Sequence, residues 1–262
     1  MESGDRGQKK VKKFASLEDR EHDRRKKIEQ IKVYLITYLA YSLVHFQREF
    51  WSLSKSKIVH EHPKELSKSI LSRFDTAQLL AYAFFLYICG IIGDSYNQRL
   101  VLSGTLAALT IMFSLLSLPG FLDITSQPYF YCVQILIGVF NAFLFPCMIA
   151  IMGNWFPKKN RGFIVGMWAT CNNFGNIVGI QLAAFLLETC ELEWQWLMVL
   201  ASGMTAILAV VIFLFLVPHP DDVGIYVEEL DEKEVLIASA TEQEVYDKVI
   251  RNSLSRPEEV RD

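Results

Sequence analysis

Charge is scarce inside the long apolar blocks of this sequence, and other signals are missing altogether. No nucleophile–base pair, metal-ligand spacing or nucleotide-binding loop is present, so an enzyme is not expected and no cofactor is implied. Nothing points to nucleic acid as a partner. The five cysteines sit inside or at the ends of apolar segments, with neither metal-site nor disulfide-framework spacing, and read as small packing residues. No Asn-x-Ser/Thr acceptor occurs. The first 30 residues are charged rather than apolar, so no cleavable signal peptide is expected. The turns at 119–127 and 188–194 hold no Lys or Arg.

What remains is apolar. The 262 residues are 52% hydrophobic, with mean hydropathy +0.24. Grouping in long blocks predicts an all-α membrane protein with the lipid bilayer as its solvent. Six helices are expected, over about 31–58, 75–93, 100–118, 128–152, 162–187 and 195–217. The net charge of −3 averages two opposite ends. Residues 1–30 hold ten Lys/Arg and seven Asp/Glu, a basic tail suited to anionic lipid or to water. Residues 218–262 hold five and thirteen, an acidic tail with a short helix expected near 242–250. The domain reading is thus a basic tail (1–30), a six-helix membrane unit (31–217) and an acidic tail (218–262). Six spans put both termini on one side. Lys158, Lys159 and Arg161 join the basic tail there, which predicts cytoplasmic termini. A polar loop expected at 59–74 disagrees, because residues 52–76 carry five Lys/Arg on the opposite side.

The first apolar segment holds a cation. Arg48 lies about 24 Å along the helix from Lys32, deep in or just past a bilayer core roughly 30 Å thick. At about 100° per residue, Tyr34, Tyr38, Tyr41, His45 and Arg48 share an arc of roughly 80°. An ionisable residue at that depth is a functional-site candidate. The alternative is that Arg48 snorkels to the interface. On the fifth segment Trp168, Asn172 and Asn176 share a face, for interhelical hydrogen bonding or for lining a path. Gly162-x-x-x-Gly166 and Gly175-x-x-x-Gly179 both suggest close helix packing.

Two motifs carry a resemblance. GIIGDSYNQR (90–99) sets a small residue, an acid and a base around a short turn, and is similar to the helix 2–3 motif of the major facilitator superfamily. GNWFPKKNRGFIVGMW (153–168) resembles the corresponding loop of the sugar-phosphate exchangers and glycerol-3-phosphate transporters, which are organophosphate:phosphate antiporters. Tyr41-x-x-x-His45-x-x-Arg48, Asp75-Thr76, FGNIVG (174–179) and HPDDVG (219–224) look like segments of the same family. The resemblance covers about 31–225, the N-terminal half of such a transporter.

The resemblance implies one half of a major facilitator fold, a site near the midplane, and the endoplasmic reticulum membrane as location. It makes Arg48 the phosphate ligand, through a planar fork suited to phosphate. Tyr41, His45 and Asn172 would line the path, and Asp94 with Arg99 would form a conformational latch. A sugar phosphate or glycerol phosphate and inorganic phosphate would be the ligands. A second copy or a complementary half would complete the site. The sequence also departs from the family. Glu49 stands where a basic residue is usual and would neutralise Arg48, Leu86 replaces a lysine, and no histidine follows Trp168. On the fourth segment, Asn141 stands for a glutamine. Two functions therefore stay open: an antiporter half, and a membrane interaction protein that does not transport.

Overall fold

The computed structural model of the protein describes the backbone of residues 2–225 and the side chains of residues 20–225, apart from those at 94 and 160. The acidic segment from 226 on, with the short helix expected at 242–250, lies outside the described residues, as do the side chains of residues 1–19 of the basic tail.

The described residues form helices and no strand: α1 (Glu2–Glu61), α2 (Lys68–Ser95), α3 (Gln98–Leu122), α4 (Gln127–Trp155), α5 (Lys158–Trp168), α6 (Cys171–Ala184) and α7 (Trp194–Phe215). A π-helical turn, Phe185–Thr189, ends α6, and a 3-10 turn, Pro220–Val223, follows α7. Four of the helices, α2, α3, α4 and α7, are long and apolar enough to cross a membrane. The two remaining expected spans are α1, which carries the polar stripe, and the α5–α6 pair, which is broken.

Two boundaries differ from expectation. The 60 residues of α1 make one rod about 90 Å long, so the basic tail is helical rather than a separate coil. Its charged sequence hides the apolar period but is rich in helix-forming Lys, Arg and Glu. The loop expected at 59–74 shrinks to 62–67, because α1 runs to Glu61 and α2 begins at Lys68. Lys55 and Lys57 lie within α1, as the expected helix 31–58 has them.

The fifth segment breaks between Trp168 and Cys171. No Pro or Gly stands there. The Thr170 hydroxyl donates to the Met167 carbonyl at 2.7 Å, and the Thr170 N–H bonds three residues back to the same carbonyl. That side-chain competition tightens the turn.

Packing is pairwise: α2 lies on α4, α3 on α7, and α1 on α6. Between α1 and α6 the backbones nearly touch. A methyl group at position 175 would stand 2.9 Å from the Ser42 carbonyl carbon and 3.0 Å from His45 Cβ. One at 179 would stand 2.8 Å from the Phe46 carbonyl oxygen. Helices in lipid gain little from apolar burial against each other, so such close van der Waals fit carries the pairing. Gly162 and Gly166 behave otherwise: a methyl at either meets nothing within 4 Å, so that pair is not a packing motif here.

Polar ties join the other pairs. The Ser114 and Ser202 hydroxyls lie 2.8 Å apart between α3 and α7. The buried Gln47 amide of α1 donates to the Ala201 carbonyl at 3.2 Å and to Thr205 on α7. Outward, large apolar side chains are bare, among them Phe84 at 72% and Ile207 at 68% exposure. Contiguous surface of that kind is suited to hydrocarbon, not water.

Candidate functional site

The α1 stripe opens on a cleft of about 310 Å³ whose lining comes from α1, α2 and α4. Tyr41, His45, Arg48, Glu49 and Lys55 come from α1, Asp75, Gln78 and Tyr82 from α2, and Asn141 from α4. Helical periodicity explains the convergence. Lys55 follows Arg48 by seven residues, within about 20° on the same face. Asp75, Gln78 and Tyr82 are spaced i, i+3, i+7 and fall within an arc of about 60°.

Arg48 is exposed to this cleft. Among the described residues no carboxylate lies within 4.0 Å of its guanidinium. Glu49 lines the same cleft but forms no direct ion pair with Arg48. Consecutive helical side chains diverge by about 100°, and the Glu49 Cβ faces the gap over Gly179.

Tyr41 and His45 are held by aromatic packing. Tyr41 stacks on Trp168 at 5.3 Å between centroids and meets His45 edge-on at 4.9 Å. The indole N–H of Trp168 donates to the Thr37 hydroxyl at 3.2 Å, pinning α5 to α1. Trp168 is 1% exposed, so it supports the stripe from behind rather than lining the cleft. Asn172 is not brought to the cleft either. It is half-buried on α6, and its side-chain oxygen, like that of Asn176, is buried with no hydrogen-bond partner. His45 Nδ1 is likewise buried with no partner in strict hydrogen-bond geometry, and the Asn176 side chain is its polar neighbour.

Opposite charges meet at the far end of the cleft from Tyr41. Asp75 accepts from the Lys55 ammonium at 2.5 Å and from the Trp51 indole N–H at 2.8 Å. Behind Arg48 a chamber of about 30 Å³ is lined by Gln47, Gln78, Gln134 and Asn141. It has room for about one water molecule. The Gln134 amide nitrogen there is buried without a partner, so a water or a ligand oxygen is its natural complement.

Sequence reasoning missed Lys55, Gln78 and Tyr82. The available signal was a second polar stripe at 75, 78 and 82 in an otherwise apolar helix.

Asp94 and Arg99 are the residues expected to form a latch. The side chain of Asp94 lies outside the described residues. Arg99 is half-buried, and its Nε has no hydrogen-bond partner. A methyl on Gly93 would stand 2.6 Å from Cys147 Sγ, so glycine there lets the end of α2 close on α4.

The 153–168 motif holds helix ends together instead of lining the cleft. Arg161 donates to the carbonyls of Gly153 at 2.6 Å and Phe156 at 3.0 Å, satisfying the end of α4. Trp155 donates to Val217 at 2.8 Å and Asn154 to Pro218 at 3.2 Å, fixing the exit of α7. Gln30 of α1 reaches the Trp155 carbonyl at 2.8 Å.

A helical bundle that pairs this way around a polar cleft has the form of half a transporter. The family model for the Major Facilitator Superfamily matches residues 33–254, and the chain belongs to that family. Sugar phosphate exchanger 3 of Xenopus laevis is 31% identical over 218 residues, covering 73% of this chain and 43% of that protein. An Arabidopsis thaliana protein named for glycerol-3-phosphate transport is 30% identical over 253 residues, covering 86% and 46%. The human glucose-6-phosphate exchanger SLC37A2 is 29% identical over 216 residues, covering 73% and 42%. The chain therefore spans less than half the length of these relatives. The inward-facing, unoccupied crystal structure of a bacterial homologue of the lysosomal transporter Spinster superposes with a TM-score of 0.58 at 17% identity, over 73% of this chain and 44% of that one. The fold is that of one half of a major facilitator, and the protein is integral to a membrane.

Proposed function

We propose that the chain forms the N-terminal half of an organophosphate:phosphate antiporter, in which Arg48 binds the phosphate group and Tyr41 and His45 shape the cavity beside it. The observation that carries this reading is the unpaired Arg48 in a polar cleft of a membrane helix bundle. An exposed guanidinium with no carboxylate partner is available for bidentate binding of a phosphate oxygen pair. The names of the relatives support a phosphorylated sugar or glycerol phosphate as the organic ligand. Exchange requires a second six-helix half to close the cleft, from a longer polypeptide, a second copy or a complementary chain. Asp94 and Arg99 act as the latch between conformations, and the residues group as 1–30, 31–217 and 218–262. The protein resides in the endoplasmic reticulum membrane with both termini cytoplasmic. The Lys158, Lys159 and Arg161 cluster supports that orientation, and Lys55 no longer opposes it because Asp75 neutralises it.

One observation favours a second reading. Two cations of the lining, Arg48 and Lys55, are matched by two carboxylates, Glu49 and Asp75, so with His45 neutral the cleft offers a dianion no net charge. A protein that binds partner helices without transporting would tolerate such a balance.

Proteoliposomes separate the two. At less than one copy per vesicle, labelled phosphate is expected to exchange at the protein-free rate. At high density, or with a complementary half, exchange appears and is lost in Arg48→Ala. Exchange by single copies overturns the need for a second half, and no exchange under any pairing favours the non-transporting reading.

A further inference from the structure

We propose that Lys55 is a second anion ligand of the cleft, kept by Asp75 until a phosphate group displaces the carboxylate. The inference rests on the phosphate reading of Arg48 and deepens it. Arg48 and Lys55 line one cleft from one helix face, about 10.5 Å apart along the axis, or roughly two turns. Both side chains are long enough to converge on a group bound between them. A tetrahedral dianion placed there meets a bidentate fork on one side and a mobile ammonium on the other.

The Lys55–Asp75 pair suits exchange. Its side chains are 23% and 31% exposed, so a ligand entering the cleft can reach the ammonium. Asp75 does not depend on Lys55 alone, because the Trp51 indole N–H holds its other oxygen at 2.8 Å. When Lys55 turns to phosphate, Asp75 keeps one strong donor and faces the cleft's water. The ammonium trades one oxyanion for another, while Asp75 gives up its cation and is left with the indole N–H and water. The exchange leaves the net charge of the lining unchanged but sets both cations, Arg48 and Lys55, against the ligand. Glu49 lines the cleft too but makes no ion pair with Arg48, so it does not hold the guanidinium as Asp75 holds the ammonium.

The pair has a mechanical consequence. It is a direct tie between α1 and α2 at the end of the cleft away from Tyr41. A phosphate that takes Lys55 leaves the Trp51–Asp75 hydrogen bond as the remaining side-chain tie of that pair between α1 and α2.

The test is binding of labelled inorganic phosphate to the 262-residue chain in lipid nanodiscs. Relative to wild type, Lys55→Met is expected to weaken phosphate by at least about tenfold, the low end of what a charged hydrogen bond is worth. Lys55→Arg retains binding within a few-fold. Asp75→Asn is the decisive variant: it removes the competitor and leaves Lys55 in place, so phosphate is expected to bind several-fold tighter. A purely structural ion pair predicts the opposite, weaker or unchanged binding in Asp75→Asn. If wild type binds and Arg48→Ala abolishes binding while Lys55→Met does not change it, the Lys55 inference fails and the phosphate reading stands. If wild type shows no saturable phosphate binding, the phosphate reading of the cleft fails, and this inference fails with it.

Discussion

Replacing Gly175 by alanine should loosen the helix that carries Arg48, and replacing Gly162 should not. At 175 the added methyl would overlap the Ser42 carbonyl group and stand 3.0 Å from His45 Cβ. Ordinary carbon contacts are about 3.5–4.0 Å, so α1 and α6 must part by roughly half an ångström or more. Both obstacles lie on a regular helix, so no rotamer change relieves them. Overpacking of this kind costs about 1–3 kcal/mol. Alanine returns about 1 kcal/mol of helix propensity, leaving a net loss of roughly 0–2 kcal/mol. At 162 the methyl meets nothing within 4 Å, so the same propensity appears without penalty, a gain of up to about 1 kcal/mol. The two variants therefore differ by about 1–3 kcal/mol at equal chemistry. Reversible unfolding in mixed micelles, followed by tryptophan fluorescence, reads the difference. Gly175→Ala as stable as Gly162→Ala would refute the close crossing of α1 and α6.

Two further substitutions probe the ties around the cleft. Gln47→Leu removes donors to Ala201 and Thr205 and should cost about 0.5–1.5 kcal/mol, with little added loss when Thr205→Val is combined with it; additive losses would contradict a shared α1–α7 link. Trp155→Phe deletes the bond to the Val217 carbonyl and should cost about 1 kcal/mol, with faster hydrogen exchange confined to the residues after α7; unchanged exchange there would contradict the role given to the 153–168 motif.

The stripe ending at Arg48 was legible because helical periodicity is strict and a charge stands out against apolar neighbours. The long apolar runs placed α3, α4 and α7 within a few residues for the same reason, while α2 begins seven residues earlier than expected, at Lys68 in a polar stretch. Features that depend on contact with other helices were not legible. The break after Trp168 comes from a threonine hydroxyl bonding its own backbone, where no proline or glycine marks the place. Both glycine pairs have the same spacing, yet only the pair at 175 and 179 meets a neighbouring backbone, because α1 crosses there. Asn172 shares a helix face with Trp168, but that face packs on α1 and the cleft opens elsewhere. The helix expected over 31–58 already holds Lys55, but only the folded chain sets it against Asp75.

The phosphate affinity of Arg48→Ala beside wild type, in nanodiscs at constant ionic strength, tests the account at its centre. Arg48 is exposed, without a carboxylate partner, so its removal should leave unfolding stability within about 0.5 kcal/mol. Phosphate binding should fall by at least about tenfold, the loss expected for a charge-assisted contact. Equal phosphate binding by both proteins would contradict Arg48 as the ligand.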